Sequence, residues 1–255
     1  MNTLVIIGQR LKEARGAAGY TLEDVAQKLG ITKDELSLFE SGRQNPPLSL
    51  LRKFAKLYGV FVSYFYGIEK LKGEVFNLLL DKAKELSLPP ETISQVHRFI
   101  FLCKEIVKLR QKLGIPKPEI PQNVDTQEDL GELLESKGIP VIRLPLGRGL
   151  SSAMVCDESF GAFILVNSDC PDQNRLVAQE YAHILQGEKV HLSVPTEDGL
   201  KAMPQKENTV PISKVLWGLT LNAVKHGLIS TGYASDILEI SPIEVEEALL
   251  QICRF

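Results

Sequence analysis

The stretch richest in possible chemistry is Asn174 to His183, reading Asn-Arg-Leu-Val-Ala-Gln-Glu-Tyr-Ala-His. On a helix, side chains four residues apart sit one above the other on the same face. Histidines so spaced converge on one zinc ion, and a glutamate beside the first activates the metal-bound water, in the pattern His-Glu-x-x-His. Here Glu180 and His183 stand in their places, but Gln179 occupies that of the first histidine. A neutral amide offers zinc only a carbonyl oxygen, a much poorer ligand than imidazole. Without the ion, Glu180 has no polarised water to deprotonate. Glu188, Glu197, Asp198 and Glu207 are acids that could replace a lost ligand, and His191 lies close by, but spacing assigns none of them. We read the motif as vestigial: Glu180 is the relic of a base, Gln179 and His183 relics of a metal site. The cofactor expected is none, with zinc as the alternative.

The N-terminal part carries a different signal. Ile7, Leu11, Ala14 and Ala18 mark one face of a first helix over residues 4–18. Thr21 N-caps a second, with Asp24 three residues on as an imperfect capping box, and Gly30 ends it. Thr32 caps a third, with Leu36 and Phe39 inward and Gly42 closing. A fourth runs from about Ser49 to Tyr58, and a short fifth carries Val62 and Phe65. Short helices joined by a tight turn at Gly30 make a helix-turn-helix.

Residues 6–67 resemble the XRE family of lambda-repressor-like DNA-binding domains. The resemblance rests on Gly8-Gln9-Arg10-Leu11, Gly19-Tyr20-Thr21-Leu22-Glu23-Asp24-Val25-Ala26, Leu29-Gly30-Ile31-Thr32 and Phe39-Glu40-Ser41-Gly42-Arg43-Gln44-Asn45-Pro46. It implies that the helix opened by Thr32 enters the major groove, with Lys33, Asp34, Ser37 and Leu38 outward. Lys33 would then bond guanine acceptors or a phosphate, and Asp34 the N4 amino group of cytosine. Arg43, Gln44 and Asn45 would hold backbone phosphates and fix register. The resemblance also implies that Arg10 pairs with Glu40. Asp34 and Glu35 make this face less basic than usual, which leaves a protein-interaction bundle as the other reading.

Between the ends, residues 68–86 read as a helix with Leu71, Val75, Leu78 and Leu79 on one side, ended by Pro89-Pro90. A long helix follows over 91–113. Its Ile93, Val96, Ile100, Cys103 and Val107 form a seam that suits either the preceding helix or a second subunit. The prolines of 114–121 read as a stiff linker. Beyond it come a helix from Thr126, strands at 139–144, 152–157 and 161–167, and a helix over 174–186. This order resembles the ImmA/IrrE family of metallopeptidases over residues 126–190, through Phe163-Ile164-Leu165-Val166-Asn167, Pro171 and Arg175–Leu185. Members supply a third ligand from a Glu-x-x-Ala-Asn-x-Phe-Ala motif; none stands between Gly187 and Leu221. The tail holds a loop at 197–210, a helix over 212–226 and a small acidic helix-turn-helix at 230–242 with Ser241 as N-cap.

The expected fold class is α+β: an all-α helix-turn-helix domain (1–67), a helical connector and linker (68–121), and a zincin-like α+β domain with a small sheet and helical tail (122–255). Residues 1–70 carry ten Lys/Arg against seven Asp/Glu, the rest nineteen against twenty-five, so a mildly basic head sits on an acidic body. Cys103, Cys156, Cys170 and Cys253 show no metal or disulfide spacing, which suits reduced thiols in a cytoplasm. No stretch approaches the ~18 apolar residues of a membrane span. The function expected is a transcriptional regulator that binds double-stranded DNA as a homodimer. Its C-terminal domain would be an inactive metallopeptidase-like sensor or docking module for a peptide, protein or small-molecule effector. A zinc endopeptidase cleaving a partner repressor and an antitoxin-type repressor are the alternatives.

Overall fold

The computed structural model describes residues 3–67, 74–122, 124, 129–195 and 212–252. They fall into two compact units, residues 1–101 and 102–255.

In the first unit, α1 (Thr3–Ala17) buries Ile7, Gly8, Leu11 and Ala14, the spacing of one helical face. Both α2 (Leu22–Leu29) and α3 (Lys33–Glu40) open on full capping boxes. Thr21 Oγ1 accepts from Asp24 N while the Asp24 carboxylate accepts from Thr21 N, and Thr32 with Glu35 repeats the exchange. Gly30 joins the helices at φ 68°. A Cβ there would meet nothing within 4 Å, so backbone conformation, not crowding, calls for glycine. The side chains of α4 (Leu48–Tyr58) and α5 (Val62–Phe65) close the bundle: Phe54 stacks on Tyr58 at 5.7 Å and meets Phe39 edge-on at 6.4 Å.

Helix α6 (Glu74–Glu85) buries Val75, Phe76, Leu79 and Ala83, whereas Leu78, expected on that side, is exposed. Leu71 lies outside the described residues. The long α7 (Pro90–Leu113) is divided between the units. Its seam residues Ile93, Val96, Ile100 and Cys103 are buried within the single chain, and so are Phe99, Phe101 and Leu102 around them. Over 96–103 every residue is buried, as in a core element, whereas the last seam residue, Val107, is partly exposed. The division between the units, at 101/102, falls inside this helix.

The second unit begins with the rest of α7. The proline-rich segment that follows is neither helix nor strand, and it is laid against the unit. Tyr181 donates its hydroxyl to the Pro121 carbonyl, and Ile120 packs on the core. Helix α8 (Leu130–Ser136) is capped by Asp129, and Thr126, where a helix start was expected, lies outside the described residues. Strands β1 (Val141–Leu144), β2 (Ser152–Asp157), β3 (Gly161–Asn167) and β4 (Val190–Ser193) form one mixed sheet in the order β1-β3-β2-β4. Strand β1 runs parallel to β3, with Val141 opposite Ile164. Strand β2 runs antiparallel to β3 and to β4, with Met154 opposite Ile164 and His191. Every residue of β3 is buried, which accounts for its unbroken apolar run. Helix α9 (Gln173–Leu185) lies on β2 and β3, sending Val177, Tyr181 and Ile184 into a core with Val141, Met154 and Ile164.

The tail folds as α10 (Lys214–Lys225), α11 (Thr231–Leu238) and α12 (Pro242–Ile252). The buried Glu135 of α8 ties this tail to the sheet. One carboxylate oxygen accepts from Ser213 Oγ at 2.6 Å and Lys214 N at 2.8 Å, capping α10; the other meets Arg143 Nη1 at 3.2 Å. The fold is therefore α+β, with a helical head and a small mixed sheet in the C-terminal unit.

Candidate functional site

The exposed side of α3 follows from its amphipathic pattern. Leu36 and Phe39 are 0% and 3% exposed, so Thr32, Lys33, Asp34, Ser37 and Leu38 face outward, and Arg43, Gln44 and Asn45 beyond the helix are exposed too. Asp34, Ser37, Leu38, Ser41 and Arg43 line one shallow open depression. Arg43 N and Gln44 N donate to the Leu38 carbonyl at 3.0 and 3.2 Å, fastening the loop to the helix end. Ser41, absent from the sequence-predicted set, lines the same depression and donates its Oγ to that carbonyl at 3.1 Å. Lys33 is ion-paired with Glu23 of α2. Bonds from the backbone and side chain of Thr32 hold the Glu35 carboxyl below the usual range.

The brace behind this helix differs from the expected one. Glu40 is held by Arg15, not Arg10: Nε and Nη2 meet its two oxygens at 2.6 and 2.9 Å, and Nη1 bonds the Tyr20 carbonyl at 3.0 Å. The α1 face turned to α3 is that of Gly8, where a Cβ would lie 2.6–2.7 Å from Phe39 O, Glu40 O and Gly42 N. Arg15, two turns on, shares that face, while Arg10 is rotated about 200° from Gly8. Arg10 instead pairs with Glu13 at 2.9 Å and lies over the Tyr64 ring.

In the second unit the structure gathers Gln179, Glu180 and His183 with groups from the sheet. Glu180 lies on the same face of α9 as Val177, Tyr181 and Ile184, and it is fully buried. A carboxylate there requires partners. Ser152 Oγ of β2 donates to one oxygen at 2.6 Å, and His191 Nδ1 of β4 lies 2.9 Å from the other. Gln179 Nε2 donates to Ser193 Oγ at 3.0 Å. The His183 ring stacks on that of His191, centroids 3.6 Å apart and planes 17° apart, with its Nδ1 2.8 Å from Glu188. Sequence spacing brought His191 and Glu188 into consideration without assigning them; Ser152 and Ser193 were missed, because strand partners leave no mark at helical spacing. Glu197, Asp198 and Glu207 lie outside the described residues. Among the described residues, no three His, Cys, Asp or Glu side chains are grouped so as to hold a metal ion. Among them, too, no helix is long and apolar enough to cross a membrane.

Residues 6–61 match the family model described as a helix-turn-helix domain. The chain is similar to the transcriptional regulator ImmR of Bacillus subtilis, 38% identical over 76 residues, 30% of this chain and 60% of that protein. It is also similar to YonR, a prophage-derived regulator of the same organism, 33% identical over 88 residues, 34% of this chain and 74% of the relative. A third similarity is to SinR of Bacillus subtilis, 40% identical over 58 residues, 22% of this chain and 52% of the relative. The chain thus spans about half to three quarters of the length of these relatives. No solved structure matches the chain. With a capped helix-turn-helix, an exposed third helix and relatives named as regulators, this chain belongs to the XRE family of helix-turn-helix transcriptional regulators.

Proposed function

We propose that this protein regulates transcription by placing α3 in the major groove of an operator, read as a homodimer. The observation that carries the reading is the exposed side of α3. Lys33, Asp34, Ser37 and Leu38 point out with Thr32 at the helix start, and Arg43, Gln44 and Asn45 follow where phosphates would run. The face is close to electrically balanced, since Glu23 and Asp34 oppose Lys33 and Arg43. Base contacts, more than charge, would then have to supply selectivity. The test is enrichment from random duplex DNA with the full chain. Recovery of one sequence, ideally a near-palindrome, supports the reading; failure to enrich any sequence at low salt refutes it.

For the second unit we propose an inactive, ImmA/IrrE-like peptidase fold kept as a sensor or docking module. Its support is that the polar groups of the relic are already used. Gln179 donates to Ser193, and both oxygens of Glu180 are engaged. A zinc ion lies in the plane of each imidazole that binds it, about 2.0 Å from the nitrogen. The near-parallel His183 and His191 rings, 3.6 Å apart, cannot both point at one ion. These residues do not fit a zinc centre, and elemental analysis should find no stoichiometric zinc. One zinc per chain would favour the endopeptidase alternative.

A further inference from the structure

We propose that Leu38 is a specificity-determining residue that reads the C5-methyl group of a thymine. The proposal rests on the DNA-binding reading and adds the chemistry of one contact. Leu38 is 37% exposed and lines a shallow depression together with Asp34, Ser37, Ser41 and Arg43. The fold uses its backbone: the carbonyl accepts from Arg43 N, Gln44 N and Ser41 Oγ. The core on this helix is supplied by Leu36 and Phe39, which are buried on the other side. An isobutyl group has no donor or acceptor, so it can read no hydrogen-bond pattern. The apolar feature that the standard bases present in the major groove is the thymine methyl. Asp34, one turn earlier, is exposed on the same face, and its carboxylate would be repelled by phosphates. That repulsion turns this part of the helix toward base edges and away from the backbone. Arg43, at the rim, is then left to meet a phosphate.

The test uses the full chain and its enriched operator, with each thymine replaced in turn by deoxyuridine, which removes only the methyl. At one thymine per half-site the wild-type protein should lose about three- to fivefold in affinity, the factor worth one buried methyl group. Leu38→Ala should bind thymine and uracil forms alike at that position, and Leu38→Met, which keeps an apolar tip, should retain the preference. Tolerance of uracil at every position by the wild type would overturn the proposal. So would a penalty that persists undiminished in Leu38→Ala. Failure to enrich any duplex would instead overturn the DNA-binding reading, and this inference with it. The uracil arm changes the DNA alone, so its result does not depend on how any variant folds.

Discussion

Replacing Gly8 by alanine should loosen the recognition helix without touching its exposed face. A Cβ at position 8 would sit 2.6 Å from Phe39 O, 2.7 Å from Glu40 O and 2.7 Å from Gly42 N. All are backbone atoms, so no side chain can swing away; α1 and the end of α3 must separate by roughly half an ångström or more. Overpacking of this kind costs about 1–3 kcal/mol. Alanine gains about 1 kcal/mol over glycine in a helix, leaving a net loss of up to about 2 kcal/mol. Gly16, on the same α1, is the control: a Cβ there meets nothing within 4 Å. Gly16→Ala should therefore stabilise the head by a few tenths to about 1 kcal/mol. For a head of this size about 1 kcal/mol corresponds to roughly 4–8 °C in melting temperature. Hydrogen exchange of peptides spanning 33–41 in the full chain isolates the effect from the second unit. Exchange should quicken in Gly8→Ala and slow or hold in Gly16→Ala. Equal protection in the two variants would show that the α1–α3 approach is not tight, and the argument would fail.

Arg15→Lys should destabilise the head by about 1–2 kcal/mol, because lysine cannot reproduce the two-pronged bond to Glu40, while Arg10→Lys should change it by less than about 0.5 kcal/mol; urea unfolding separates them. Glu135→Ala leaves Arg143 without its carboxylate and Ser213 Oγ and Lys214 N without their acceptor, so the second unit should lose about 3–5 kcal/mol, read from the denaturation of Trp217 fluorescence. Burial, helped by Lys84, lowers the pKa of His97 from 6.5 to about 4. Between those values the unfolded chain binds more protons, so stability falls as the pH drops through that window, by up to about 3 kcal/mol. His97→Leu should flatten that part of the pH profile, and an unchanged slope would refute it. Gln179→His should not recover stoichiometric zinc on titration, since His183, His191 and Glu180 keep their present partners.

What was legible in the sequence is what local chemistry enforces. Thr21 and Thr32 announce their helices because a β-region hydroxyl must satisfy free N–H groups, and Gly30 announces the turn because its φ is positive. Strand β3 showed as an unbroken apolar run because both its faces are covered. Strand β4 left no such mark. Its sequence, Val-His-Leu-Ser, is short and half polar, and only pairing with β2 makes it a strand. The partner of Glu40 was misplaced for a related reason: choosing between Arg10 and Arg15 requires the rotation of α1 about its axis, which Gly8 sets by its close approach. The prolines of 114–121 mark where the helix stops, but where the chain beyond it is laid depends on Tyr181 and the core beside Ile120, both remote in sequence.

The same spacing that suggested a broken metal site explains how these side chains are held in place. A helix that turns residues 177, 181 and 184 into the core carries residue 180 in with them, so Glu180 is buried whatever its chemistry. A buried carboxylate is tolerable only when its oxygens are bonded, and Ser152 and His191 bond them. His191 can do so only from a strand placed beside β2, so the polar interior of α9 and the pairing of β4 require each other. Gln179 fits this arrangement better than a charged group would: its amide donates to Ser193 without burying another charge. A histidine at position 179 would leave that mutual dependence intact. Making a metal centre of this cluster therefore requires unstacking His183 from His191 and freeing Glu180, not one substitution at position 179.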